Sequence, residues 1–190
     1  MQPQTGLPDT FARAVAGLRT CQPRAEITLT EVTAPQRLAP YAFALGASVC
    51  RDSDEVATGR LILLYDPEGH EAWEGPIRLV TYVTADLEPE LAADPMLPAV
   101  GWSWLIDALA QHRAAHRAIG GTVTQTISTR FGELAGPPAV GDYELRASWS
   151  PVDPDLTGHL PAWCDVLAST AGLPPEGVTA LGDRRANSGV

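Results

Sequence analysis

Lysine is absent from the chain. All 13 basic side chains are arginine, set against 23 carboxylates for a formal net charge of −10. This excludes a strongly basic surface, and with it the simplest way of holding a nucleic-acid backbone. Cysteine is scarce: Cys21, Cys50 and Cys164 are far apart and form no C-x-x-C pair. That spacing argues against a disulfide framework or a zinc knuckle and predicts buried or half-buried free thiols in a reducing compartment. No apolar run reaches the roughly 18 residues of a membrane span. The opening MQPQTGLPDTFARAV lacks the basic start and apolar stretch of a secretory signal, so the expected location is the cytoplasm. There is no Gly-rich phosphate loop, nucleophile elbow or dinucleotide fingerprint. Carboxylates are plentiful, but no spacing forces a close acid/base pair. No cofactor is expected.

What remains is ordinary globular material: 190 residues, 45% of them apolar. Residues 1–175 are expected to form one domain with a sizeable core, and the polar, Gly-rich 176–190 a flexible tail.

Periodicity divides this domain. PDTFARAVAGLR (8–19) spaces Phe11, Val15 and Leu18 as a helix does. AEITLTEV (25–32) alternates as a half-buried strand. YAFALGASV (41–49) is a strand with Tyr41, Phe43, Leu45, Ala47 and Val49 on one face. Its other face, Ala42, Ala44, Gly46 and Ser48, is small enough for a helix to pack closely or for a groove floor; the helix is preferred. Two long strands follow within 57–87, around the turn chemistry of DPEG at 66–69. Residues 87–98 make an acidic, Pro-interrupted connection with room for one helical turn. A helix is predicted from Pro98 to about Ala118, stopped by Gly120–Gly121. GTVTQTISTRF (121–131) is a strand with Val123, Ile127 and Phe131 inward. YELRASWS (143–150) is a strand, and 157–171 a last helix ended by Gly172. Short turns between strands imply a mainly antiparallel sheet of about six strands, with helices at the N-terminus, middle and C-terminus. The fold class is α+β, in the order α-β-β-β-β-α-β-β-α.

Three features could carry function. His112 and His116 are four apart on the predicted helix, close enough to share a metal. Arg113 stands where a metalloprotease needs glutamate, and a further ligand (Asp107, His70 or His159) would have to come from elsewhere. The reading adopted is therefore no metal, the two histidines complementing the helix C-terminus. Tryptophan is the better signal: Trp102 and Trp104 fall on roughly opposite faces of that helix, and Trp73 and Trp149 could join them in an aromatic surface. Arg60, Arg78 and Arg146 could add charge to it, against the plainer alternative of core filling. Finally, residues 52–94 hold eleven carboxylates, Glu71 and Glu74 among them, against Arg60 and Arg78. This is either a solvated face or a surface for a basic partner.

The motifs APQRLAP (34–40), LLYDPEGHEAWEG (63–75) and GWSWLIDAL (101–109) resemble those of an actinobacterial family of conserved hypothetical proteins, the domain-of-unknown-function family numbered three thousand. The resemblance covers about residues 8–175. It implies a one-domain boundary and brings no catalytic residues.

The first functional expectation is a non-enzymatic binding, adaptor or chaperone-like module. It would use the acidic, Trp-containing surface, with a possible homodimer and a basic protein partner at 52–94. The element order is similar to that of small acidic secretion-chaperone-like dimers, an analogy of topology alone. No nucleic-acid or membrane partner is expected. The second is a small-ligand protein or enzyme with a pocket between the sheet and helix 98–118, near Trp102, Trp149, His112 and His116.

Overall fold

A computed structural model describes residues 6–136 and 140–175. The first helix, α1 (Asp9–Leu18), buries Phe11, Val15 and Leu18 as their spacing requires. Four strands follow: β1 (Ile27–Glu31), β2 (Tyr41–Arg51), β3 (Asp54–His70) and β4 (Gly75–Leu87). Then come α2 (Pro89–Ala92), α3 (Leu97–Gln111), β5 (His116–Ser128), β6 (Val140–Pro151) and α4 (His159–Thr170). The strands form one antiparallel six-stranded sheet in the order β1-β2-β3-β4-β6-β5. The last strand in sequence is thus inserted between β4 and β5, and α2 and α3 carry the chain across to the far edge. The α+β class and the element order are those read from the sequence, with α2 as the single turn expected in 87–98.

All four helices pack on one face. Phe11 of α1 lies against Tyr41 and Tyr65, with ring centroids 5.7 and 6.1 Å away. Gly101 of α3 sits against the Tyr143 ring, and α2 abuts Gly141. In α4, Trp163 and Leu167 press on Gly59, where a β-carbon would stand 2.8 Å from each. The same face supplies Val49, Leu61, Leu63, Leu79, Val83, Leu145 and Trp149 to the core. No helix among the described residues is long and apolar enough to cross a membrane.

Five local expectations are corrected. The central helix ends at Gln111, not near Ala118. Arg113 adopts a left-handed conformation (φ 52°), and Ala114 N–H bonds to Leu109 O while Arg113 N–H bonds to Ala110 O. This closing pattern usually employs glycine, and arginine here hides it from view. Gly120 and Gly121 lie instead in β5, where a β-carbon on Gly121 would strike the Arg146 carbonyl of the neighbouring strand. The β3–β4 hairpin reverses at Glu71–Trp73 and Glu74, the latter left-handed at φ 56°. DPEG is a bulge before that turn, with the Glu68 N–H donating to Asp66 at 3.0 Å and the ladder shifting register between Tyr65 and His70. The small-residue strip Ala42–Ser48 faces away from all the helices, and Gly46 instead accommodates Val32. Ile127 and Phe131 are exposed, at 49% and 79%; Ile127 is next to the end of β5 and Phe131 lies beyond it. The proposed tail, 176–190, falls outside the described residues.

Candidate binding surfaces

Helices on one face leave the other face of the sheet free of helices, although Ala44 and Leu64 on it are buried, and the ladders define it row by row. Asp86, Asp142 and Thr126 stand at one end. The next row is Ser48, Thr58, Thr84, Glu144 and Thr124, followed by Gly46, Arg60, Tyr82, Arg146 and Thr122. Ala44, Ile62, Val80, Ser148 and Gly120 come next. Charge thus runs from carboxylate through arginine to small and apolar groups along the strands.

Three side chains lock the centre. The Tyr82 hydroxyl donates to Glu144 at 2.8 Å, and Arg146 Nε bonds the other carboxylate oxygen at 2.7 Å. The Arg146 guanidinium lies over the Tyr82 ring, 5.3 Å from its centroid, in cation–π contact. The bonds from Tyr82 and Arg146 hold Glu144 below the usual carboxylate range. Toward the acidic end, Glu55, Asp86, Asp142 and Glu144 surround a shallow hollow of about 370 Å³ whose floor includes Thr58, Tyr82 and Thr84. Glu55, Asp86 and Asp142, beside the Arg146-bound Glu144, give this hollow a negative charge.

Arg60 and Arg78 share the helix-free face with Arg146. Arg60 reaches the Thr33 carbonyl at 3.2 Å. Arg78 is structural: it donates to Ala118 O at 2.8 Å, Ser150 Oγ at 3.2 Å and Ser148 Oγ at 2.8 Å, tying β4 to β6 and to the start of β5.

The acidic stretch 52–94 is not one surface. Glu55 and Asp86 belong to the hollow, whereas Glu71 and Glu74 sit at the hairpin tip at the opposite end of β3 and β4. The four tryptophans do not meet either. Trp73 is half-buried at that tip, stacked on His70 at 5.1 Å. Trp102 and Trp104 are half-buried on α3, the latter tilted against Tyr143. Trp149 is fully buried, because its strand position faces the helices, and its indole N–H donates to His159 Nδ1 at 3.1 Å. An aromatic surface containing Trp149 is therefore ruled out, and Tyr82 is the aromatic group on the open face.

The histidine pair is separated as well. His112 caps α3, while His116 has moved into β5 and donates from Nδ1 to Ala114 O at 2.9 Å. The argument for a shared helical face fails with the helix stop. His112 instead finds a partner the sequence reading missed: its Nε2 lies 2.6 Å from Asp165 Oδ2 on α4. Nothing in the spacing signals that pair, which depends on how α3 and α4 cross. A groove of about 350 Å³ runs between these helices, lined by Trp104, Asp107, Gln111, His112, Asp165 and Ser169 among others. It lies between two helices, not between the sheet and the 98–118 helix where a pocket was expected. Trp102, Trp149 and His116 do not line it. Among the described residues, no hydroxyl or thiol is hydrogen-bonded to the His112 imidazole, so a nucleophile–base pair is not assembled.

Against known proteins, a family model matches residues 7–179 of the chain. No curated protein and no solved structure matches it.

Proposed function

Since the chain belongs to the family described as protein of unknown function (DUF3000), whose description carries no activity, we propose from its own surfaces that it is a non-enzymatic binding module. In this reading it acts in the cytoplasm, as an adaptor or chaperone-like protein, and takes a basic protein segment on the helix-free face of its sheet. The observation that carries this is the acidic hollow beside Tyr82, with Glu55, Asp86, Asp142 and Glu144 around it. Arginine and lysine side chains would meet carboxylates at its rim and an aromatic ring on its floor. The working aromatic is thus Tyr82 rather than a tryptophan. The unpaired edge of β5, long and without charge from Gly120 to Ser128, is where a second copy would add strand to strand, leaving the face free.

The test uses a fluorescein-labelled peptide of alternating arginine and glycine, titrated with the full chain at low and at physiological salt. Binding should weaken with salt and drop at least tenfold in the Asp86→Asn, Asp142→Asn double variant. Equal binding of an alternating glutamate and glycine peptide, or an unchanged affinity in the variant, would sink the reading.

A second reading rests on His112 and Asp165. A carboxylate orienting an imidazole on the wall of a cleft is also what a small-ligand site employs. His112→Phe would then abolish saturable binding in a small-molecule thermal-shift screen while leaving peptide binding intact.

A further inference from the structure

The two edges of the sheet are finished differently. β1 is short, and an ion pair stands at each of its ends: Arg24 with Glu26 at 2.8 Å and Arg19 with Glu31 at 2.7 Å. Charges at an edge discourage the addition of a further strand. β5 is the opposite edge, and no strand among the described residues pairs with its outer side. It runs for 13 residues, and from Ala118 to Ser128 it carries no charged side chain. Copies of a chain with net charge −10 repel one another over most of their surface, and this strip is where two of them can approach without that repulsion. Gln125 donates to Ala92 O and to Asp94 O, so the strand is held in place from the link between α2 and α3.

The strip also matches its own reversal. A bulge separates Arg117 from Gly120, with Ala118 left-handed at φ 49°, so regular pairing runs from Gly120 to Ser128. The midpoint is Thr124. In an antiparallel pair of β5 strands centred there, Thr124 meets Thr124, Thr122 meets Thr126, Val123 meets Gln125 and Gly121 meets Ile127. Thr122, Thr124 and Thr126 are all exposed on the helix-free face, and threonine opposite threonine is a favourable cross-strand pair. On the helix side the exposed Ile127 falls opposite a glycine, which has no side chain to obstruct it.

We propose that two copies of the chain join through β5, antiparallel about a two-fold axis at Thr124, into one twelve-stranded sheet with all helices on the same side. This rests on the reading of β5 given above and supplies its register and symmetry. The free N–H and C=O groups of both edges then satisfy one another. Thr124 and Thr126 also line the acidic hollow. The two hollows therefore come side by side across the axis, and the partner's Thr122 continues the wall beyond Thr126. A basic segment longer than one hollow meets carboxylates of both copies.

The test is sedimentation of the full chain, which should give the mass of two copies. Thr124→Lys sets two like charges against each other at the axis and should sediment as one copy with unaltered circular dichroism, and so should Thr124→Glu. The two variants mixed in equal amounts should pair again, because opposite charges then meet. Register is read separately from cysteine variants, oxidised and mapped without reduction. Thr124→Cys should link position 124 to position 124, whereas Thr122→Cys should link only when mixed with Thr126→Cys. A single-copy mass for the parent chain, a dimer indifferent to Thr124→Lys, or Thr122→Cys linked to itself would overturn the proposal. The peptide titration above reads a different surface. A chain that dimerises in this way and ignores the arginine–glycine peptide would remove the acidic-hollow reading and uphold this one.

Discussion

The Trp163 indole N–H donates to the Thr81 hydroxyl at 2.7 Å, and that hydroxyl donates in turn to the Arg60 carbonyl at 3.1 Å. Both side chains are buried. The largest side chain of α4 is thereby fixed to the centre of the sheet, over the gap that Gly59 leaves. Thr81→Val keeps the shape and strands the indole donor without a partner. We expect a loss of about 2 kcal/mol, the cost of one unsatisfied buried donor, read from urea unfolding. An unchanged midpoint would show that the bond contributes nothing.

Tyr143 presents the opposite case. Its hydroxyl is buried with no hydrogen-bond partner among the described residues, and burial pushes its pKa up. Tyr143→Phe removes a desolvated polar atom and should stabilise the fold by about 1 kcal/mol. Gly101→Ala should do the reverse, because the new β-carbon would stand 2.6 Å from that hydroxyl oxygen in the packed core. A cost of about 1–3 kcal/mol is expected from such overpacking, and thermal melts of the two variants should move in opposite directions.

Arg78 binds three acceptors on two other strands. Arg78→Met retains the stem and removes all three bonds. It should destabilise by about 2 kcal/mol or more, since Ser150 is fully buried and would be left unpaired. Arg60→Met, which removes one peripheral bond, should fall within about 0.5 kcal/mol of the parent in the same assay.

His159 sets a pH dependence. Burial, aided by His116, lowers its pKa from 6.5 to about 4. The folded state therefore holds the neutral ring, whose Nδ1 accepts from Trp149, while the unfolded state takes up a proton first as pH falls. Stability from this group is complete above pH 6.5 and is lost progressively down to about pH 4. The total is on the order of 3 kcal/mol. Denaturation midpoints across that window should slope downward toward acid, and His159→Asn, which offers a carbonyl to the same indole, should flatten the slope. Glu26, held at about 2 by Arg24, acts in a lower window, its contribution fading below the carboxylate range.

The elements were legible wherever one face of each was buried. Leu145, Ala147 and Trp149 alternate because β6 has helices on one side and solvent on the other. Gly172 announced the end of α4 by taking the left-handed position itself, at φ 65°. The end of α3 uses the same hydrogen bonds with Arg113 in that position, so the glycine signal was missing. The next glycines downstream were read as the stop, which carried His116 into the wrong element. The open face was hidden for a different reason. Alternation says that a strand has two faces but not which one the helices cover, and the small residues of β2 favoured the wrong side. The pair His112–Asp165 depends on how α3 and α4 dock, and no local pattern carries that.

The insertion of β6 between β4 and β5 also bears on how the chain is made. As it emerges during synthesis, β1 to β4 can pair with their neighbours at once, each with the strand before it. The α3–β5 segment has no place in the sheet until Val140–Pro151 arrives, because among the described residues β6 is the only strand that β5 pairs with. Until then the edge of β4 from Leu79 to Leu87 stands open, with Leu79 and Val83 uncovered. Closure is a late, long-range event that seats Trp149 and then α4 together. A ribosome-bound chain halted before residue 140 is thus the form most exposed to wrong pairing, and the completed sheet is the work of its last strand.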